Sequence, residues 1–179
     1  TQEVRYLLPP LLQATTDLGD TYQFVLAVAS TLDQQTLMAE VKAHSASIQV
    51  VQGDTYNLVH AADLAIVASG TATLETALLE RPMVIVYRMA PLTYALARLF
   101  VRVPYIGMPN LIAGRCVVPE LIQSQVTAPN IAAAARQLLT DSHTYSVAQE
   151  GLREVRKRLG GPGAAKRAAG LIAQMLEGT

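Results

Sequence analysis

The sequence predicts an α/β protein in which a parallel sheet is flanked by helices. Three observations predict it. Short apolar runs alternate with helix-length segments along most of the chain, the pattern of repeated βαβ units. Half of the residues (51%) are hydrophobic, yet only 5% are aromatic and Trp is absent. Ala, Leu and Val must therefore do the packing, which suits helices laid on a sheet better than a β-sandwich. Finally, the apolar run at 64–68 turns through Ser69 and Gly70 directly into a helix-like segment, the junction of a βα unit. The 179 residues suit one domain, since single cores commonly grow to roughly 100–200 residues.

The elements follow in order. Val4, Leu7, Leu8, Leu11 and Leu12 stand at helical spacing over 3–16, with Pro9 and Pro10 expected to kink that helix. FVLAVA at 24–29 reads as a strand buried on both faces. A helix over 32–43, a strand over 48–51 and a short helix over 54–61 come next, then the strand ending at Ala68. The helix over 71–80 is ended by Pro82 and carries Leu74, Ala77 and Leu78 as its core stripe. MVIVY at 83–87 is a fourth strand, 91–101 a helix with Pro in its first turn, and 105–107 a brief fifth strand. Residues 108–118 read as a loop and 119–125 as a helical turn. Helices over 129–140, 145–159 and 164–176 complete the chain, the last set off by the Gly160-Gly161-Pro162-Gly163 break.

Charge and cysteine content narrow the function classes. Fourteen basic and fourteen acidic residues balance, with no basic run and no aromatic platform, which argues against nucleic acid as a partner. The lone Cys116 has no disulfide partner within the chain and reads as an incidental thiol rather than a nucleophile. His44, His60 and His143 are dispersed, and no spaced metal-ligand motif exists, so no metal and no cofactor is expected. No secretory signal opens the sequence, and no window reaches the length and apolarity of a membrane span.

The candidate site lies in the loops after the strands, because parallel sheets bind ligands beyond their carboxyl ends. Those loops are Gln52-Gly53-Asp54, Ser69-Gly70-Thr71 and the stretch from Arg88 onward. Ser69 suits an N-cap, and Gly70 lets a ligand approach the backbone, so the first free N–H groups of the helix favour a phosphate. An ordinary capped helix without a ligand is the plain alternative. Glu75 stands one turn beyond Thr71 on the same face, where its carboxylate could accept hydrogen bonds from two ribose hydroxyls. A surface glutamate favoured by the helix dipole is the alternative there.

Beyond these local readings, ASGTATLETALLERPMVIVYRM followed by PYIGMPNLIAGRCVVPELIQ resembles the C-terminal part of the lipid-A-disaccharide synthase family. The resemblance runs over most of the chain and is most specific over 68–123. It implies a Rossmann-like sheet forming one half of a GT-B architecture, with a nucleotide-sugar-binding domain over 1–141 and a C-terminal helical extension over 142–179. It implies a hexosyltransferase of lipid A biosynthesis in bacteria, which moves 2,3-diacylglucosamine from UDP to 2,3-diacylglucosamine 1-phosphate and releases UDP and lipid A disaccharide 1-phosphate. It also implies metal-independent chemistry.

Carried over by residue, Ser69, Gly70 and Thr71 match the family's diphosphate turn, and Glu75 matches the ribose-binding glutamate of related transferases, seven residues before Pro82 as there. Gly53 and Asp54 match the loop by the uracil, and Arg88 matches the Tyr-Arg after a strand. Asn110 and Gly114 match the Asn-Leu-x-Ala-Gly loop, and Glu120 and Gln123 the Pro-Glu-Leu-x-Gln turn, all near the donor. The family's N-terminal domain and opening strand have no counterpart here. The acceptor site, lipid acceptor contacts and general base are expected in that other half, and the chain alone is expected to be an inactive fragment. Catalytic residues are therefore unknown from this chain.

A cytoplasmic location, peripheral to the inner face of the inner membrane, follows from acylated substrates, and a homodimer is a further option. The membrane-facing candidate is 91–105, where Leu92, Leu96, Leu99 and Phe100 form a stripe beside Arg98 and Arg102; an ordinary crossover helix is the alternative. Two other readings stand: another UDP-N-acetylglucosamine-type GT-B transferase, which the 110–123 segment disfavours, and a non-catalytic α/β binding module.

Overall fold

The computed structural model describes residues 2–29, 32–44, 48–91, 93–94, 96, 103–161 and 163–177. Among the described residues the chain is mixed α/β, and every strand pairing is parallel. Its elements are α1 (Gln2–Leu18), β1 (Phe24–Val28), α2 (Gln34–Lys42), β2 (Ile48–Gln52), α3 (Thr55–Ala61), β3 (Ala65–Ala68), α4 (Thr71–Leu78) and β4 (Met83–Tyr87). After these come α5 (Met108–Ala113), β5 (Glu120–Ile122), α6 (Ala128–Thr140), α7 (Ser142–Leu159) and α8 (Ala164–Glu177). The strands form two sheets, β1-β2 and β3-β4-β5.

Most helix boundaries follow from local chemistry. Asp33 accepts from the Gln35 amide, Thr127 from Asn130 and Asp141 from His143, so each oxygen meets an N–H that the helix leaves unpaired. Helix α1 runs through Pro9 and Pro10 without interruption.

Several expectations are corrected. The strand after β4 is Glu120–Ile122, whereas 105–107 is not a strand. A three-residue strand is too short to show a period; pairing of Ile85, Val86 and Tyr87 with Glu120, Leu121 and Ile122 decides it. The presumed loop at 108–118 begins with α5, which starts at a proline-bearing first turn and stops at Gly114 in the left-handed region, φ 71. Strand β1 is covered on one face only, with Val25 45% exposed, because it belongs to the small two-stranded unit. Helix α4 buries Thr73, Thr76 and Ala77, while Leu78 is exposed. The hydroxyls of Thr73 and Thr76 donate to the carbonyls of Gly70 and Ala72, at 2.7 and 2.9 Å, so neither carries an unmet hydrogen bond into the core. The helix expected over 91–101 lies largely outside the described residues, as do Leu92, Arg98, Leu99, Phe100 and Arg102. Within that stretch, residues 91, 93, 94 and 96 are helical.

Two apolar clusters hold the chain together. The larger is built on β4, whose Met83 to Val86 are at most 1% exposed, with Ile131, Ala135 and Leu138 of α6 and Leu152 and Val155 of α7. The smaller joins Val28 of β1 to Leu37 and Val41 of α2. Helix α1 links them: Leu7 and Ala14 enter the first, Leu8 and Leu12 the second. Gly151 lets α7 approach closely, because a Cβ there would collide with the Val117 side chain. Arg81 fastens α7 to the end of α3, donating to the Tyr145 hydroxyl and the His60 carbonyl.

Candidate functional site

Parallel pairing places the loops after β2, β3, β4 and β5 at strand carboxyl ends. Gly53 and Asp54 follow β2, Ser69 to Thr71 follow β3, Arg88 follows β4 and Gln123 follows β5. Gly53 has φ 89 and Asp54 is the N-cap of α3, its carboxylate accepting from Asn57 at 2.7 Å.

The Ser69-Gly70 turn differs in detail from the expectation. Gly70, not Ser69, is the N-cap of α4, and no side chain caps that end. The Ser69 hydroxyl donates instead to the Ile106 carbonyl at 3.4 Å. Gly70 adopts φ 157 and ψ −163, a region essentially reserved for glycine, although a Cβ there would meet nothing within 4 Å. Backbone conformation therefore demands the glycine, and the space beside it is open. The α4 amides of Thr71 and Ala72 precede the Thr73 amide, which donates to the Gly70 carbonyl at 3.2 Å. Glu75 follows one turn later and is half-buried.

Three other candidates direct their polar atoms to the protein itself. Asn110 is fully buried: its Oδ1 accepts from the amides of Val117 and Val118, and its Nδ2 donates to the Val118 carbonyl and the Glu120 carboxylate, at 2.7–3.0 Å. Glu120 also accepts from the amides of Ile106 and Gly107, at 2.9 and 3.0 Å. Glycine at 107 lets the Ile85 side chain and that carboxylate pack this closely, since a Cβ there would meet both and one would have to shift. Gln123 accepts from the Met89 amide at 2.8 Å and donates to the Met89 carbonyl at 3.2 Å. Gly114 ends α5, where Arg158 donates to the carbonyls of Ile112 and Ala113.

The sequence model described as lipid-A-disaccharide synthetase matches residues 1–175. The chain belongs to the lipid-A-disaccharide synthase family. The lipid-A-disaccharide synthase of Anaeromyxobacter dehalogenans (strain 2CP-1) is 43% identical over 171 residues, which cover 93% of this chain and 45% of that protein. Those of Syntrophus aciditrophicus and Trichlorobacter lovleyi are 42% and 41% identical, covering 93% and 98% of this chain and 45% and 46% of theirs. The chain thus spans about half the length of the curated relatives it matches.

For a member of the lipid-A-disaccharide synthase family, the structure adds one residue at the strand ends that the sequence reading passed over. Tyr56, exposed on the first turn of α3, stands beside Glu75. The Glu75 charge raises the phenol above its ordinary pKa. An aromatic side chain just after the Gly53-Asp54 loop was the available signal. Cys116 is pushed up by burial and by the nearby Glu120 charge, so it holds its proton near neutrality. A concavity of about 310 Å³ between α6 and α7, lined by Cys116, Val118, Leu138, His143 and Val147 among others, shares no residue with the strand-end loops. Among the described residues, no cluster of three or more His, Cys, Asp or Glu could hold a metal, and no helix is long and apolar enough to cross a membrane.

Proposed function

We propose that this chain is the donor-binding part of a glycosyltransferase of lipid A biosynthesis, which transfers 2,3-diacylglucosamine from UDP to 2,3-diacylglucosamine 1-phosphate. The observation that carries the reading is the Gly70 turn with Glu75 one helical turn beyond it, at a strand end, in a chain of this family. The first amides of α4 and the helix dipole suit a diphosphate. They would also stabilise the charge that grows on UDP as it leaves. Glu75 takes the ribose diol, Gly53 and Asp54 border the uracil, and Arg88 faces the phosphates or the sugar. The acceptor and general base belong to the rest of the enzyme, which meets its acylated substrates at a membrane surface.

Melting the full-length protein with UDP, UMP and ADP tests the donor assignment. UDP should raise the transition most; no shift with any nucleotide would leave a non-catalytic binding module. Transfer should also persist in excess chelator. Complete loss of activity that magnesium or manganese restores would remove the proposal that the helix terminus, rather than a cation, supports the leaving diphosphate.

A further inference from the structure

Resting on that donor reading, we propose that Gln123 is a positioning residue that sets the direction of Arg88. Gln123 is one of two non-glycine residues with positive φ among the described residues, at 52°. A non-glycine side chain at such a position is held against an unfavourable backbone, and that cost must be offset by the contacts it makes. Here the gain is a two-point clamp. The Gln123 amide takes both polar backbone groups of Met89, accepting from its N–H at 2.8 Å and donating to its carbonyl at 3.2 Å.

The position of the clamp explains its effect. Backbone pairing of β4 with β5 ends at Tyr87 and Ile122. One residue past Ile122, the Gln123 side chain takes over from the ladder and holds Met89, two residues past Tyr87, where no strand does. Arg88 is therefore pinned on both sides, by the sheet at Tyr87 and by Gln123 at Met89, and it emerges at the carboxyl end of β4. Its side chain is exposed, and no carboxylate among the described residues forms an ion pair with it. A guanidinium directed there suits the diphosphate of a nucleotide sugar, with its planar fork matched to phosphate oxygens. Gln123 then acts on the donor through the backbone rather than by touching it.

A double-mutant cycle on the full-length enzyme tests this, using Gln123→Gly, Arg88→Ala and the pair, with UDP affinity and melting temperature as readouts. Glycine relieves the positive φ while removing the clamp, so the melting temperature should stay close to native. UDP affinity should nevertheless fall by roughly tenfold, the scale of one hydrogen bond to a charged group. In the Arg88→Ala background the same change should cost almost nothing further, because the group it positions is gone. Affinity is measured well below the transition, so the cycle stays readable even if stability drops.

Native affinity in Gln123→Gly overturns the proposal, and so does native affinity in Arg88→Ala. An equal loss with and without Arg88 also overturns it and makes Gln123 a direct contact. A native enzyme that does not bind UDP overturns the donor reading as well, whereas additive losses in a UDP-binding enzyme overturn this proposal alone.

Discussion

Asn110→Ala should destabilise the protein by about 3–5 kcal/mol, since it strands two buried amides that each cost about 1–3 kcal/mol unpaired. Asn110 is 0% exposed, and its Oδ1 is the acceptor for both Val117 and Val118 at 2.7 and 3.0 Å. The same change removes a donor from Glu120, which also holds the amides of Ile106 and Gly107 at the start of α5. For a chain of this size the melting temperature should fall by about 10 °C. Asn110→Asp is the informative companion: it keeps the acceptor but sets a second carboxylate against Glu120, 2.7 Å from the present amide nitrogen. It should therefore also destabilise near neutral pH. Native-like melting of Asn110→Ala would mean that other groups or water satisfy these amides.

Glu75→Ala should weaken UDP binding by roughly tenfold to a hundredfold, from the loss of a charged acceptor worth about 1.5–3 kcal/mol. The fold should survive, because Glu75 is only half-buried and the described contacts that anchor α4 are made by Thr73, Thr76 and Ala77. Calorimetric titration of the full-length variant with UDP measures the effect. An unchanged affinity in a well-folded variant would remove Glu75 from the ribose assignment. Tyr56 offers an internal check, since the phenol's raised pKa, set by the Glu75 charge, should return toward its ordinary value in the same variant.

Legibility in the sequence followed the range of the forces involved. The run at 64–68, the Ser69-Gly70 turn and the helix after it could be read directly, because a buried strand, a glycine and helical spacing are signals within one short window. The same window misassigned part of the buried face of α4: Ala77 is buried as expected, but Leu78 is exposed. Thr73 and Thr76 look polar in sequence, yet their hydroxyls are satisfied one turn back and they turn inward. Ser69 looked like a cap, but its hydroxyl is directed to Ile106, 37 positions away.

The sequence by itself determined the α/β class, the positions of β1 to β4, most helices and the family, since periodicity, chain breakers and motif residues are all local. Only the tertiary structure decided the division into two sheets, the identity of β5, and the use of Asn110, Glu120 and Gln123 to hold backbone. Three residues cannot display a strand period, and Glu120–Ile122 becomes a strand only by pairing with β4. Likewise the Gln123 side chain meets Met89 across 34 positions and Asn110 meets Val118 across eight. Such bonds depend on where folding brings two segments, and they are selected by the cost of leaving those polar groups buried without partners, which no single segment reveals.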